Sequence, residues 1–210
     1  RRQRQMCIRD SILMSHNSAV RFRFNRILVD RGIEVHKGSK VVGVTKGAIE
    51  CEGGSRFELD EILWVTPAAP AMWLKNDTNL KLDNAGFIAV KDTLESESHP
   101  NIFAAGDTAS VVAYPRPKAG VFAVRQGLPL AENLRRAGTG KSLKPFRPQR
   151  DFLSLISTGD RYAIGSKWVG ALEGAWVWHL KNWIDLRWIH KYKKLPEMKE
   201  TGEVNICLLY

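Results

Sequence analysis

Long apolar runs are missing from this 210-residue chain. A bilayer-spanning helix needs roughly 18 or more consecutive apolar residues, and none is present. Cysteine is scarce: Cys7, Cys51 and Cys207 lie far apart, odd in number, with no C-x-x-C. That spacing signals neither a dithiol redox pair nor a zinc site. A reducing compartment is the default, so cytoplasmic localisation is the starting expectation, with membrane association or an organelle left open. Histidine offers no metal-ligand spacing either, since His16, His36, His99, His179 and His190 are isolated. Internal repeats and low-complexity tracts are absent. The chain opens on "RRQRQMCIRDSILMSHN" without an initiating Met, and Ile12-Leu13-Met14 reads as the end of an element begun upstream. We expect a fragment of a longer protein, so the lack of a targeting peptide has no meaning here.

What is there is mostly ordinary. A hydrophobic content of 44% and aromatics at 9% suit a globular protein with a real core. The unusual feature is a formal charge of +10, with an isoelectric point near 9.7. Such a balance points to an anionic partner or to a basic, solvated surface. Lys and Arg are spread along the chain and no nucleic-acid reading motif occurs, so nucleic-acid binding is the weakest reading of the charge.

The periodicity divides the chain. Residues 18 to 31 place Val20, Phe24, Ile27 and Leu28 at helical spacing, with Gly32 as a stop signal. Alternating residues punctuated by Gly38, Gly47 and Gly53-Gly54 predict several short strands. Ile62-Leu63-Trp64-Val65 lacks alternation and predicts a strand buried on both faces. "TPAAPAMWLK" reads as a loop entering a short helical turn. "GFIAV" and "NIFAA" predict two further strands joined by the polar connection "DTLESESHP". From Lys118 to Ala137, Val121, Val124, Leu128 and Leu134 predict a helix with Pro117 just before it. "SLKPFRPQR" reads as a linker and domain boundary. Beyond it we expect a hairpin around Thr158-Gly159-Asp160 and a long Trp-rich helix over roughly 172–194. Strands alternating with helices, then a hairpin and a helix, predict an α/β domain with a small α+β cap.

Within that pattern "NIFAAGDTAS" stands out, because an apolar run ends in Gly106-Asp107. Ligands of open α/β sheets sit outside the carboxyl ends of strands. Gly106 allows close approach, and Asp107 can accept hydrogen bonds from adjacent hydroxyls of a sugar-alcohol chain. The competing reading is a turn with an Asx hydrogen bond or a helix N-cap. Eleven residues on, Pro117 opens a helix whose first turn is expected to be Lys118-Ala119-Gly120. Free amides there favour partial negative charge, the small residues admit a flat ring, and Lys118 adds positive charge.

The order "ILWVTPAAP", "GFIAVKDTLESESHPNIFAAGDTA", "PRPKAGVFAVRQGLPLAENL" resembles the carboxyl half of the two-dinucleotide-binding-domain flavoproteins, the pyridine nucleotide–disulfide oxidoreductase superfamily. The likeness is greatest to its branch of type II NADH dehydrogenases and sulfide:quinone reductases. "FLSLISTGDRYAIGSKW…EGAWVWHLKNWIDLRWIHKY" is similar to the oxidoreductase module often fused ahead of selenide, water dikinase, with "LPEM" near that junction. The resemblance spans about residues 10 to 198 and is specific over 87 to 190. It implies a partial two-dinucleotide-binding-domain (Rossmann-like) flavoprotein fold with a small α+β C-terminal cap. The implied segments are 1–45, the end of an NAD(P)H-binding domain; 46–140, the later part of an FAD-binding domain; 150–195, a cap or interface domain; and 196–210, a tail. It implies FAD and NAD(P)H as cofactors and a small-molecule electron acceptor, quinone-like or based on selenium or sulfur. It further implies a fused or associated selenide, water dikinase. Asp107 would hold the ribityl chain, Gly106 would give clearance, and Lys118, Ala119 and Gly120 would face the flavin's pyrimidine edge.

Departures from that family are plain. Both G-x-G-x-x-G phosphate loops are absent, and Pro67 stands where relatives usually carry Gly, removing a backbone donor. Without paired redox cysteines, electrons would pass from flavin directly to an acceptor. The isolated chain is expected to be inactive, and a non-catalytic basic binding module that keeps the scaffold is the alternative. In the Trp-rich helix, Trp176, Leu180, Trp183, Ile184 and Trp188 share a broad face edged by Lys181, Arg187 and Lys191. Peripheral membrane contact through 172–194 suits that composition, although packing on the cap's own sheet or on a second subunit is favoured. Asp60-Glu61 and "ESES" read as solvated loop charges.

Overall fold

The computed structural model describes residues 4–8 and 12–193. In chain order it contains β1 (Arg4–Ile8), α1 (Ser18–Asp30), β2 (Ile33–Lys37), β3 (Val41–Thr45), β4 (Ala48–Cys51) and β5 (Arg56–Glu58). Then come α2 (Met72–Asn76), β6 (Ile88–Val90), a 3-10 turn at Gly106–Thr108, β7 (Ala109–Val111) and α3 (Gly120–Gly138). The hairpin strands β8 (Ser154–Gly159) and β9 (Tyr162–Lys167), strand β10 (Gly170–Gly174) and α4 (Ala175–Lys193) follow. They form two compact units: residues up to Glu58 together with those from Leu153 onward, and Leu59–Phe152.

In the first unit β1 and β2 pair in parallel, β3–β4–β5 form an antiparallel meander, and β8–β9–β10 form a second. Parallel strands need a crossover, and α1 supplies it between β1 and β2. Asn17 starts that helix: its Oδ1 accepts from Val20 N at 3.0 Å, while its Nδ2 donates to the carbonyls of Trp168 and Gly170. One amide therefore caps α1 and pins the turn between β9 and β10. Val20 and Leu28 form the buried stripe of α1, and Glu173 on β10 pairs with Arg26 at 2.8 Å and Arg23 at 3.6 Å. The hairpin closes one residue later than expected, at Asp160-Arg161, both left-handed at φ 51° and 53°. Arg31 holds that strained turn, donating to Thr158 O and pairing with Asp160 at 3.1 Å.

The second unit is built on Leu74, Ile88, Val90, Leu94, Ala104, Ala109 and Val111. β6 and β7 pair in parallel at its centre. Two expected strands are not there. Ile62–Val65 has no regular structure, and Leu63 and Val65 are 89% and 81% exposed, because that run never enters a sheet. "NIFAA" contributes only an isolated bridge, Glu95 to Phe103. β1 and β10, by contrast, went unforeseen. The "ESES" run is not solvated as expected: Ser96 is buried, and Glu95 and Glu97 pair with Lys91 and Lys81 at 2.8 Å.

α3 forms where the periodicity placed a helix, but it turns a different face inward. Phe122, Gln126 and Asn133 are its buried residues, whereas Val124, Leu128 and Leu134 are exposed. Pro129 sits within the helix. Asn133, fully buried, donates to Thr93 O at 2.8 Å and Lys144 O at 2.9 Å and accepts from Lys144 N at 2.8 Å. The Pro-rich stretch around it thus folds onto the unit, with Phe146 packed against the core. In α4 Val177 is the buried residue, while Trp176, Trp183, Ile184 and Trp188 are exposed. α4 packs on its own sheet, one of the two alternatives favoured above, through Val177, and the Trp-rich face is left exposed. No helix among the described residues is long and apolar enough to cross a membrane.

Replacing Asn133 with Leu keeps its volume and strands three backbone groups. Each unmet buried group costs about 1–3 kcal/mol, so Asn133→Leu should lower the stability of this unit by at least about 2 kcal/mol in urea denaturation. An unchanged midpoint would show that the amide is dispensable.

Candidate functional site

The site lies wholly within the second unit, beside the start of β7. Ala104 is buried, and the chain then turns out through Gly106, whose φ of 73° lies in the left-handed region. An added Cβ there would meet only the Cβ of Ala123 at 3.8 Å, an ordinary contact. Conformation rather than space therefore calls for glycine. The Gly106 amide donates to the side-chain carbonyl of buried Gln126 at 2.5 Å, tying the turn to α3. Asp107, next in the turn, is exposed. Among the described residues nothing hydrogen-bonds its carboxylate, so neither an Asx turn nor an N-cap uses it.

Lys118 approaches from the other side. Its ammonium donates to Ala109 O at 2.5 Å and stands 3.9 Å from the centre of the Phe87 ring. Burial lowers its pKa, against the attraction of Asp83 and Asp107. Asp83 is held in turn by the amides of Ala85 and Phe87, both at 2.9 Å. Burial pushes its pKa up, but hydrogen bonds from Phe87, Ser110 and Ala85 and the charge of Lys118 outweigh that, leaving it lowered.

The helix begins later than expected. Ala119 is the N-cap residue of α3 and makes no side-chain cap, and Gly120 is the first helical residue. Lys118 therefore precedes the helix instead of sitting in its first turn. Among the described residues the amides of Gly120 and Val121 meet no acceptor. Gly106, Asp107, Lys118 and Ala119 share the wall of one hollow of about 380 Å³, counting its open mouth. Gly120 begins the helix at its edge.

Sequence reasoning missed Gln126, Asp83 and Ser110. Gln126 had a usable signal: it lies four residues after Phe122 and seven before Asn133, on one helical stripe. A polar residue at a core position of a helix needs a buried partner. Asp83 carried no comparable signal. No group of three or more His, Cys, Asp and Glu residues that could hold a metal occurs among the described residues.

A glycine turn between buried Ala104 and the start of β7 shares a hollow with the uncapped start of α3. Comparison with known proteins gives the family. The pattern of the pyridine nucleotide-disulphide oxidoreductases matches residues 6–127, and the chain belongs to that family. Among solved structures it is similar to the sulfide:quinone oxidoreductase of the hyperthermophilic bacterium Aquifex aeolicus, at 12% identity and a TM-score of 0.71. That match covers 90% of this chain and 49% of the other. It is also similar to an engineered water-forming NADPH oxidase bound to NADPH, at 21% identity and a TM-score of 0.60, covering 78% of this chain and 36% of that one. At these identities the likeness shows the fold: α/β, of the Rossmann-like flavoprotein kind. The chain spans about half the length of the first relative and about a third of the second.

The Asp83 network gives a pH prediction. A carboxylate with a lowered folded pKa contributes stability above its unfolded value, and loses it as pH falls through the folded one. The ordinary value for Asp83 is 3.8. Asp83→Ala should destabilise by about 1–2 kcal/mol at neutral pH, and the gap to the parent should narrow below pH 3.8, read by urea denaturation across pH. A constant gap would show that the carboxylate's charge is not what stabilises.

Proposed function

We propose that this chain is part of an FAD-dependent NAD(P)H oxidoreductase whose flavin is gripped at the Gly106–Asp107 turn. One observation carries the reading: an exposed carboxylate that accepts no hydrogen bond among the described residues shares a hollow with an uncapped helix start. Family membership and the likeness to a sulfide:quinone oxidoreductase and an NADPH oxidase support it. The residues fit such a group. Asp107 offers acceptor oxygens for adjacent ribityl hydroxyls, and the left-handed Gly106 lets a chain pass close to the backbone. The free amides of Gly120 and Val121, with the helix dipole, suit the electron-rich pyrimidine edge. Lys118, held by Ala109 and Phe87, places positive charge behind that edge.

Hydride chemistry between nicotinamide and an acceptor belongs to the flavin when it is bound. This chain's residues orient it and set the local field. The acceptor in our reading is quinone-like or based on selenium or sulfur, with a link to selenophosphate synthesis through the module resemblance. In the same reading residues 1–45 close the NAD(P)H domain, 46–140 complete the FAD domain and 150–195 form the cap. The chain contains no G-x-G-x-x-G loop for the pyrophosphate, so these 210 residues alone should retain FAD weakly.

A second reading concerns α4. Trp176, Trp183 and Trp188 are exposed on a helix with His190, Lys191 and Lys193 in its last turn. Aromatic and basic residues together suit a lipid headgroup region. Sedimentation with anionic vesicles tests it, and absence of co-sedimentation would refute it.

Asp107→Ala in the longer parent protein tests the main reading. Losing charge-assisted hydrogen bonds costs about 1.5–3 kcal/mol, so FAD affinity should fall about tenfold to a hundredfold. Flavin absorbance after gel filtration reads this directly. Unchanged flavin content would leave the non-catalytic binding module as the better description.

A further inference from the structure

Two of the three cysteines, separated by more than forty positions, meet in the first unit. Cys7 on β1 stands opposite His36 on β2, and Cys51 ends β4 opposite Val41 on β3. The short connection from β2 to β3 joins the two sheets: Ser39 N donates to Ile8 O at 3.0 Å, and Lys40 O accepts from Glu52 N at 2.7 Å. Residues adjacent to each cysteine are thereby held on the same two-residue bridge. The bridge brings the two side chains close enough to interact, and Cys51 raises the pKa of Cys7. Both are free, Cys51 buried and Cys7 half-buried. Spacing along the chain carries no sign of this proximity, which strand order creates.

We propose that Cys7 and Cys51 are a peroxide-oxidisable pair that closes to an intramolecular disulfide, covalently joining β1 to the β3–β4–β5 sheet. Cys7, the more accessible, attacks hydrogen peroxide as thiolate. The O–O bond breaks, water leaves, and a sulfenic acid forms. Cys51 then attacks that sulfur and a second water leaves. Two thiols and one peroxide give one disulfide and two waters, the sulfurs losing two electrons to oxygen. The nearness of Cys51 favours this ending over further oxidation, because a resolving sulfur lies beside Cys7. Without the bond, β1 is held in its sheet by β2 alone. The pair lies in the unit that does not contain the Asp107 hollow, and the proposal is independent of flavin binding.

Reactivity is set by the thiolate. Burial and the neighbouring Cys51 raise the Cys7 pKa above its ordinary 9.0, so the pair is slow at neutral pH and its oxidation rate should still be climbing at pH 9. It is a stress-level modification rather than a fast sensor.

The test uses the whole 210-residue chain. After hydrogen peroxide treatment, the protein is denatured, blocked with maleimide and mapped by non-reducing peptide mass spectrometry. The expected result is loss of two of the three maleimide-reactive thiols and one linked peptide pair joining Cys7 to Cys51, reversed by dithiothreitol. Cys207, outside the described residues, should stay labelled. Cys51→Ser should leave Cys7 as a sulfenic acid trapped by dimedone. The wild-type mapping does not depend on how well that variant folds. Links through Cys207, intermolecular links, or sulfinic acid at Cys7 with Cys51 still labelled would each overturn the proposal.

Discussion

The amide of Gly106 has one acceptor, the side-chain carbonyl of Gln126, and the second unit's site depends on that bond. It fixes the exit of the chain from the buried Ala104 against the first half of α3. Among the described residues it is the hydrogen bond that joins the 3-10 turn to α3, beside their packing contacts. Burying a glutamine amide is costly unless it is paired, and here it is paired with a backbone group that the left-handed turn would otherwise leave unmet. The turn needs glycine for its φ, and it needs Gln126 for its amide. Asp107 is exposed as a consequence, because the turn's own donor is satisfied from behind.

The same device recurs wherever irregular chain must be held. Asn133 serves the carbonyl of Thr93 and both backbone groups of Lys144. Asn17 serves Val20, Trp168 and Gly170. Each is a side-chain amide placed at or on a helix that bonds backbone beyond that helix, Asn17 also capping its own helix at Val20. Sheets here are small, of two or three strands, so ladders cannot satisfy much of the loop backbone. Side-chain amides take over that role, and Leu94, buried at φ 65° beside the Asn133 contact, occupies its strained conformation within this frame.

What the sequence made legible follows from this. Helices α1 and α3, the hairpin and α4 were readable because their signals are local: periodicity, a glycine stop and turn residues. Ile62–Val65 was misread because an apolar run without alternation is equally a segment that never pairs. β1 and β10 were missed because each is defined by its partner strand, a long-range fact. The inward face of α3 was misassigned because Gln126 and Asn133 look like solvent positions until their backbone partners are known. The place of Asp107 was legible from glycine following an apolar run. The support behind it was not, since Asp83, Ser110 and Lys118 meet only through tertiary structure. The meeting of Cys7 and Cys51 is hidden for the same reason.

The two long helices that begin within well-formed loops end this comparison usefully. α1 starts on Asn17, which caps it. α3 starts on Ala119, which caps nothing. A missing cap costs about 1 kcal/mol, and the sequence plainly has the means to supply one. At the same place Lys118 is partly stripped of water and the Asp107 carboxylate accepts no hydrogen bond among the described residues. Three departures from local stability rules share the wall of one hollow. Residues that give up stability cluster where a ligand repays it: amides without acceptors and a carboxylate without a donor are complementary to a molecule offering both. A purely structural corner would have capped the helix and paired Asp107 with Lys118. Here the lysine turns to Ala109 and Phe87 instead, leaving the Asp107 carboxylate on the same hollow as Ala119, the residue at which α3 begins uncapped.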